Sequence, residues 1–201
     1  MGEAERIRRN LLAVQERMAE AALRAGRDPA AITLVAVTKT FPVEVILAGY
    51  QVGIRHFGEN RPEEGAEKVP QVNAAFDGPR PTWHMVGHVQ SRKAALTVAH
   101  FDVVHSVDRL KIARRLSRFA TEAGKALPVL LECNVSGEAT KFGFLLDRWQ
   151  EDEVQREGFF AACAEILGLP GLRVEGLMTI APIADDPEEV LSLIHISEPT
   201  R

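Results

Sequence analysis

The chain has 201 residues, 46% hydrophobic and 26% charged, which places it among globular proteins large enough for one sizeable core. Its 24 basic and 28 acidic side chains leave a formal charge of −4 with no basic block, which argues against nucleic acid as the main partner. No apolar run is long enough to span a bilayer.

The opening MGEAERIRRN is charged and lacks the apolar core of a leader, and Cys133 and Cys163 stand apart with no metal-ligand spacing. The prediction is a soluble cytoplasmic protein with reduced thiols and no metal site. Lys111, Arg114, Arg115 and Arg118 share a helical face that reads as solvated.

Over 3–24, apolar residues fall at Ile7, Leu11, Val14, Met18 and Ala22, the spacing of one helical face, and Gly26 ends the helix. Asp28-Pro29 turns the chain into ITLVAVTK, residues 32–39. That run has no polar alternation, so it predicts a parallel strand buried on both faces and ending on one lysine. Pro42 suits the first turn of a helix carrying Val45, Ile46 and Ala48 and closed by Gly49. A second strand over 54–57 ends in Gly58-Glu59-Asn60.

A helix over 62–68 precedes VNAAFDGPRP, where Gly78, Pro79 and Pro81 predict an irregular loop. A third strand over 83–86 ends in Gly87-His88-Val89-Gln90, with its helix over 92–99. A fourth over 101–105 leads to Ser106 or Asp108 as cap of a helix through Leu110, Ala113, Leu116 and Ala120. A fifth over 128–133 ends in Asn134-Val135-Ser136-Gly137. A loop through Lys141-Phe142-Gly143 then leads to a helix over 159–167, and a sixth strand over 173–178 ends at Thr179.

Strands alternating with helices predict a parallel α/β architecture, either a barrel or an open doubly wound sheet. No glycine-rich dinucleotide or nucleoside triphosphate loop follows any strand. Lys39, Asn60, His88, Ser106, Asn134 and Thr179 all fall at or just past strand C-termini, as a barrel mouth requires. The prediction is a (β/α)8 TIM barrel with about six of its eight units present. Residues 185–189 read as a helix start, whereas LSLIHISEPTR has no helical period, so the expected division is a domain over 1–190 and a non-native tail over 191–201. Unpaired first and sixth strands would leave such a chain marginal or insoluble.

Lys39 is the candidate for chemistry. Burial in a barrel mouth disfavours the ammonium, and the free amine can form a Schiff base with an aldehyde. A lysine that merely surfaces as its strand leaves the core would read the same way. Asn60 and either His84 or His88 are candidates to orient a ring there, and a histidine bonded to backbone is the other reading of His84.

AVTKT, HFGEN, WHMVGHVQSRK, HSVDR, NVSGEATKFG and GLMTIAP occur in this order, and over 7–189 the chain resembles the pyridoxal phosphate homeostasis protein family. The resemblance implies the barrel of the alanine racemase N-terminal domain without a second domain. It implies pyridoxal 5′-phosphate as cofactor, held as an aldimine on Lys39. Cofactor contacts are implied for Asn60, His84, Met178 and Thr179, with Lys141 near the site or in cofactor exchange, while Glu59, Gln90 and Lys93 are expected to be structural. Phe41 stands where family members usually carry a second lysine, and the family's phosphate-binding segments after strands seven and eight have no counterpart here.

Two functions follow from the resemblance. One is a monomeric protein that carries or buffers the cofactor for vitamin B6 and amino acid homeostasis, with pyridoxal phosphate-dependent apoenzymes as recipients and no turnover. The other is a racemase of the alanine racemase type, which needs a tyrosine as second acid–base group. The single tyrosine, Tyr50, lies at a predicted helix end, so the carrier is the expectation.

Overall fold

The computed structural model describes residues 2–75 and 78–182; the expected helix start at 185–189 and the tail over 191–201 lie outside the described residues. The chain divides between His84 and Met85 into two compact units.

In the first unit, α1 (Glu3–Arg24) follows the predicted apolar face: Ala22 is buried, Ile7, Leu11 and Met18 are half-buried, and Val14 stays exposed. Gly26, at φ 65°, ends it in the left-handed conformation, with Arg27 N donating to Ala22 O at 2.9 Å. The apolar run over 32–39 yields only β1 (Ala36–Val37), and Val37 is 44% exposed, so the expected strand buried on both faces is corrected. The reason is its partner. β2 (His56–Glu59) presents four residues, and among the described residues β1 pairs with β2 alone, Ala36 beside Phe57 and Val37 beside Gly58.

The helix between them, α2 (Val43–Gln51), is not closed by Gly49. Gly49 is buried mid-helix, where a Cβ would press to 3.4 Å against both Ile54 and Phe57, and the chain turns instead at Gly53 with φ 111°. Beyond β2, α3 (Pro62–Ala74) runs past its expected end and through Pro70, because burial of Val69 and Val72 outweighs the missing amide bond. β3 (Thr82–Met85) buries Trp83 against Phe57 at a ring separation of 5.6 Å, and Trp83 Nε1 donates to Asn73 Oδ1 at 3.2 Å.

The second unit is built on β5 (Leu127–Asn134), flanked in parallel by β4 (Val103–Val107) and β7 (Leu172–Met178). A two-residue strand, β6 (Phe144–Leu145), pairs with its C-terminal end and is too short to show a period in sequence. A short 3-10 turn leads into α4 (Ala94–His100) before β4. α5 (Leu110–Glu122) buries Ile112, Ala113, Leu116 and Ala120 and leaves Lys111, Arg114, Arg115 and Arg118 in solvent, as expected. Neither Ser106 nor Asp108 caps it: Arg109 holds the cap position, and Ser106 Oγ donates to Gly87 O at 2.6 Å. α6 (Glu153–Leu167) starts earlier than the apolar residues suggest, because Asp152 accepts from Gln155 N at 3.1 Å and caps it. Both cysteines are free; burial pushes the Cys133 thiol up to about 12. Among the described residues, no helix is long and apolar enough to cross a membrane, and no cluster of three or more His, Cys, Asp or Glu could hold a metal.

Candidate functional site

Lys39 sits in the turn that follows β1. Side chains alternate along a strand, so Val37 and Lys39 share one face and Thr38 takes the other. Thr38 is buried: its amide extends the ladder to Gly58 O at 2.8 Å, and its hydroxyl donates to Glu59 Oε1 at 2.7 Å. Glu59 is fully buried, and α3 supplies its counterion, Lys68, at 3.1 Å. Lys68 Nζ also donates to Thr38 O at 3.0 Å and Glu64 Oε2 at 3.2 Å, and Glu64 accepts from Thr40 N at 3.2 Å. Burial raises the Glu59 carboxyl, opposed by the bonds from Thr38 and Lys68, while the Thr40 amide and Lys68 lower that of Glu64. The expected structural role of Glu59 therefore has a physical basis, although its Oε2 has no hydrogen-bond partner among the described residues.

Lys39 itself is exposed, which corrects the expected desolvation of its amine. Among the described residues its Nζ makes no hydrogen bond or ion pair, so the amine is free while the backbone beside it is tied. Asn60 is half-buried and follows Gly58 by two residues, as Lys39 follows Val37. His84 is buried on β3 with Nε2 3.0 Å from His56 Nδ1, a histidine contact the sequence did not reveal. A cavity of about 490 Å³ in this unit, lined by Leu11, Met18, Ile32, Leu34, Ile54 and Arg55, lies at the beginnings of β1 and β2. It is at the opposite end of those strands from Lys39.

In the second unit the ladder between β4 and β5 slips by one residue, from Val104 beside Val129 to Val107 beside Leu131. That bulge turns Asp108 to the same face as Glu132. Asp108 Oδ2 lies 2.8 Å from His88 Nδ1, outside hydrogen-bond geometry, and its Oδ1 accepts from Arg109 at 2.5 Å. The His88 ring stacks on Phe142 at 3.7 Å, which ties His88 to two neighbours within its own unit. Glu132 is 5% exposed, and its Oε2 has no hydrogen-bond partner among the described residues. Burial, reinforced by the charge of Asp108, pushes its carboxyl up to about 7.

The NVSGEATKFG stretch is a self-bonded loop. Asn134 Nδ2 donates to Glu138 O at 3.0 Å, and its Oδ1 accepts from Gly137 N at 3.0 Å. Gly143, at φ 120°, packs so closely on β5 that a Cβ would come within 2.7 Å of Asn134 N. The loop presents Lys141, which pairs with Glu138 and donates to Ile180 O at 3.1 Å. Met178 pairs in register with Glu132, and Thr179 Oγ1 donates to Cys133 O at 2.9 Å.

Over residues 4–193 the chain matches the family described as alanine racemase, N-terminal domain. It is 42% identical over 166 residues to a pyridoxal phosphate homeostasis protein of Vibrio alginolyticus, covering 83% of this chain and 67% of that protein. Among solved structures, an unknown protein from Bifidobacterium adolescentis superposes with a TM-score of 0.84 at 28% identity, over 97% of this chain and 77% of that one. PipY of Synechococcus elongatus, solved with pyridoxal phosphate bound, gives 0.69 at 32% identity, over 90% and 78%. The alternation of strands and helices pointed to a parallel α/β barrel and the family resemblance to the alanine racemase N-terminal type, and that is the fold class these likenesses show. On sequence and fold together, the chain belongs to the pyridoxal phosphate homeostasis protein family.

Proposed function

We propose that this protein binds pyridoxal 5′-phosphate at Lys39 and carries or buffers it without turning over a substrate. The observation that supports this most directly is the contrast at the end of β1: the Lys39 amine is exposed and has no partner among the described residues, while the residues on either side of it are bonded to α3 and β2. The cofactor supplies an aldehyde, which a free lysine amine joins covalently with loss of water. A solvent-facing amine on a held backbone fits that chemistry, and Asn60 is the neighbouring polar group of the same unit. The names of the curated relatives and the cofactor bound to PipY point the same way.

A racemase finds less support. The Tyr50 hydroxyl donates to Pro79 O at 2.5 Å, and the Arg55 guanidinium lies 4.1 Å over its ring, so the single tyrosine of the chain is engaged in its own unit.

The test is to mix the purified chain with pyridoxal 5′-phosphate, follow visible absorbance, reduce with borohydride and map the labelled peptide, with Lys39→Ala alongside. The expected label is on Lys39 and absent from the variant. A folded protein that takes no label would overturn the reading. Formation of D-alanine from L-alanine by the loaded protein would overturn the carrier half.

A further inference from the structure

We propose that Lys68 is the positioning residue for Lys39, acting through a clamp that runs from α3 to the residues on both sides of the reactive amine. This deepens the proposed function and rests on it, since the clamp matters to chemistry only if Lys39 is where the cofactor attaches.

On one side of Lys39, all three polar groups of Thr38 are held. Its amide bonds to Gly58 O, its hydroxyl bonds to Glu59 and its carbonyl accepts from Lys68. On the other side, Thr40 is the only described non-glycine residue at positive φ, 65°, a conformation disfavoured for a side chain with a branched Cβ. Its amide bonds to Glu64, which Lys68 also holds, and Phe41 N donates back to Thr38 O at 3.1 Å to close the turn. A backbone held in such a region persists where its surroundings over-determine it. Here those surroundings converge on the ammonium of Lys68, a side chain 12% exposed, which is shared among Thr38, Glu59 and Glu64. Lys39 is the residue between, and it is left out of the network.

The experiment compares Lys68→Met, Lys68→Arg and Glu64→Ala with the parent chain in two measurements. One is amide hydrogen exchange at Thr40 and Phe41 without cofactor, and the other is the rate of borohydride-fixed labelling of Lys39 by pyridoxal 5′-phosphate. In Lys68→Met we expect exchange to quicken and labelling to slow, each by about tenfold, with Lys68→Arg recovering most of both. Glu64→Ala leaves the buried Glu59–Lys68 pair in place and decides the matter if Lys68→Met does not fold. It should loosen Thr40 and slow labelling in the same direction. Unchanged exchange at Thr40 in a folded variant would overturn the clamp, and quickened exchange with parental labelling rates would overturn its positioning role. If the parent chain is never labelled at Lys39, the proposed function fails instead, and the exchange measurement still shows whether the clamp holds the turn.

Discussion

Glu132 is a carboxyl whose charge the fold opposes. It is buried beside Asp108, and its folded value of about 7 stands above the ordinary 4.5. The folded protein therefore holds a proton that the unfolded chain releases between those values. The stability this contributes is fully present below about pH 4.5 and is lost as pH rises through about 7. Glu132→Gln keeps the shape and removes the charge. The expected outcome is equal melting temperatures below about pH 4.5 and a variant more stable by about 3 kcal/mol at pH 8. Circular-dichroism melts across that range check this, and a gap that stays constant with pH would contradict it. At the same scale, Lys39→Ala should abolish the fixed cofactor label. The position of Lys39 at a strand end was readable from residues 32–39, but the isolation of its amine was not. Lys68, which holds the turn, is 29 residues further on in an unremarkable charged stretch, and no local pattern links the two.

The elements that sequence period identifies well are those with a full apolar face. α1 and α5 have one, and both appear where the spacing sets them. α6 begins before its apolar spacing does, because its first turn, Glu153 to Arg156, leaves its one apolar residue, Val154, in solvent and is started by a cap rather than by burial. Asp152→Ala should therefore cost about 1 kcal/mol, readable as a lower urea midpoint with an unchanged slope. A loss below a few tenths would mean that packing of Phe159 against Phe144, not the cap, sets the start of the helix. α3 shows the reverse case. Pro70 marks a break in sequence, yet the helix continues because Val72, beyond it, has a buried place to fill. The apolar run over 32–39 becomes a strand only where it meets a ladder partner, at Ala36 and Val37.

Taken as a whole, the chain leaves apolar strand residues in solvent. Val37 on β1 and Leu177 on β7 are 44% and 46% exposed, and each of these strands has one ladder partner among the described residues. Strands presented in this way pair with other chains, so concentration-dependent self-association is expected, and Leu177→Lys should reduce it. Sedimentation velocity over a tenfold concentration range would show this, and a single unchanging monomer would contradict it. The sequence by itself determined the alternation of strands and helices, the lysine closing the first strand and the motifs that carry the family likeness. Each of these is a property of neighbouring residues or of their order. Only the tertiary structure decided which polar groups meet: Lys68 with Thr38, His56 with His84, and Asp108 turned by a one-residue slip onto the face of Glu132. Those meetings depend on register and on the distance between elements, which arise when whole strands and helices pack and which no short stretch of chain encodes.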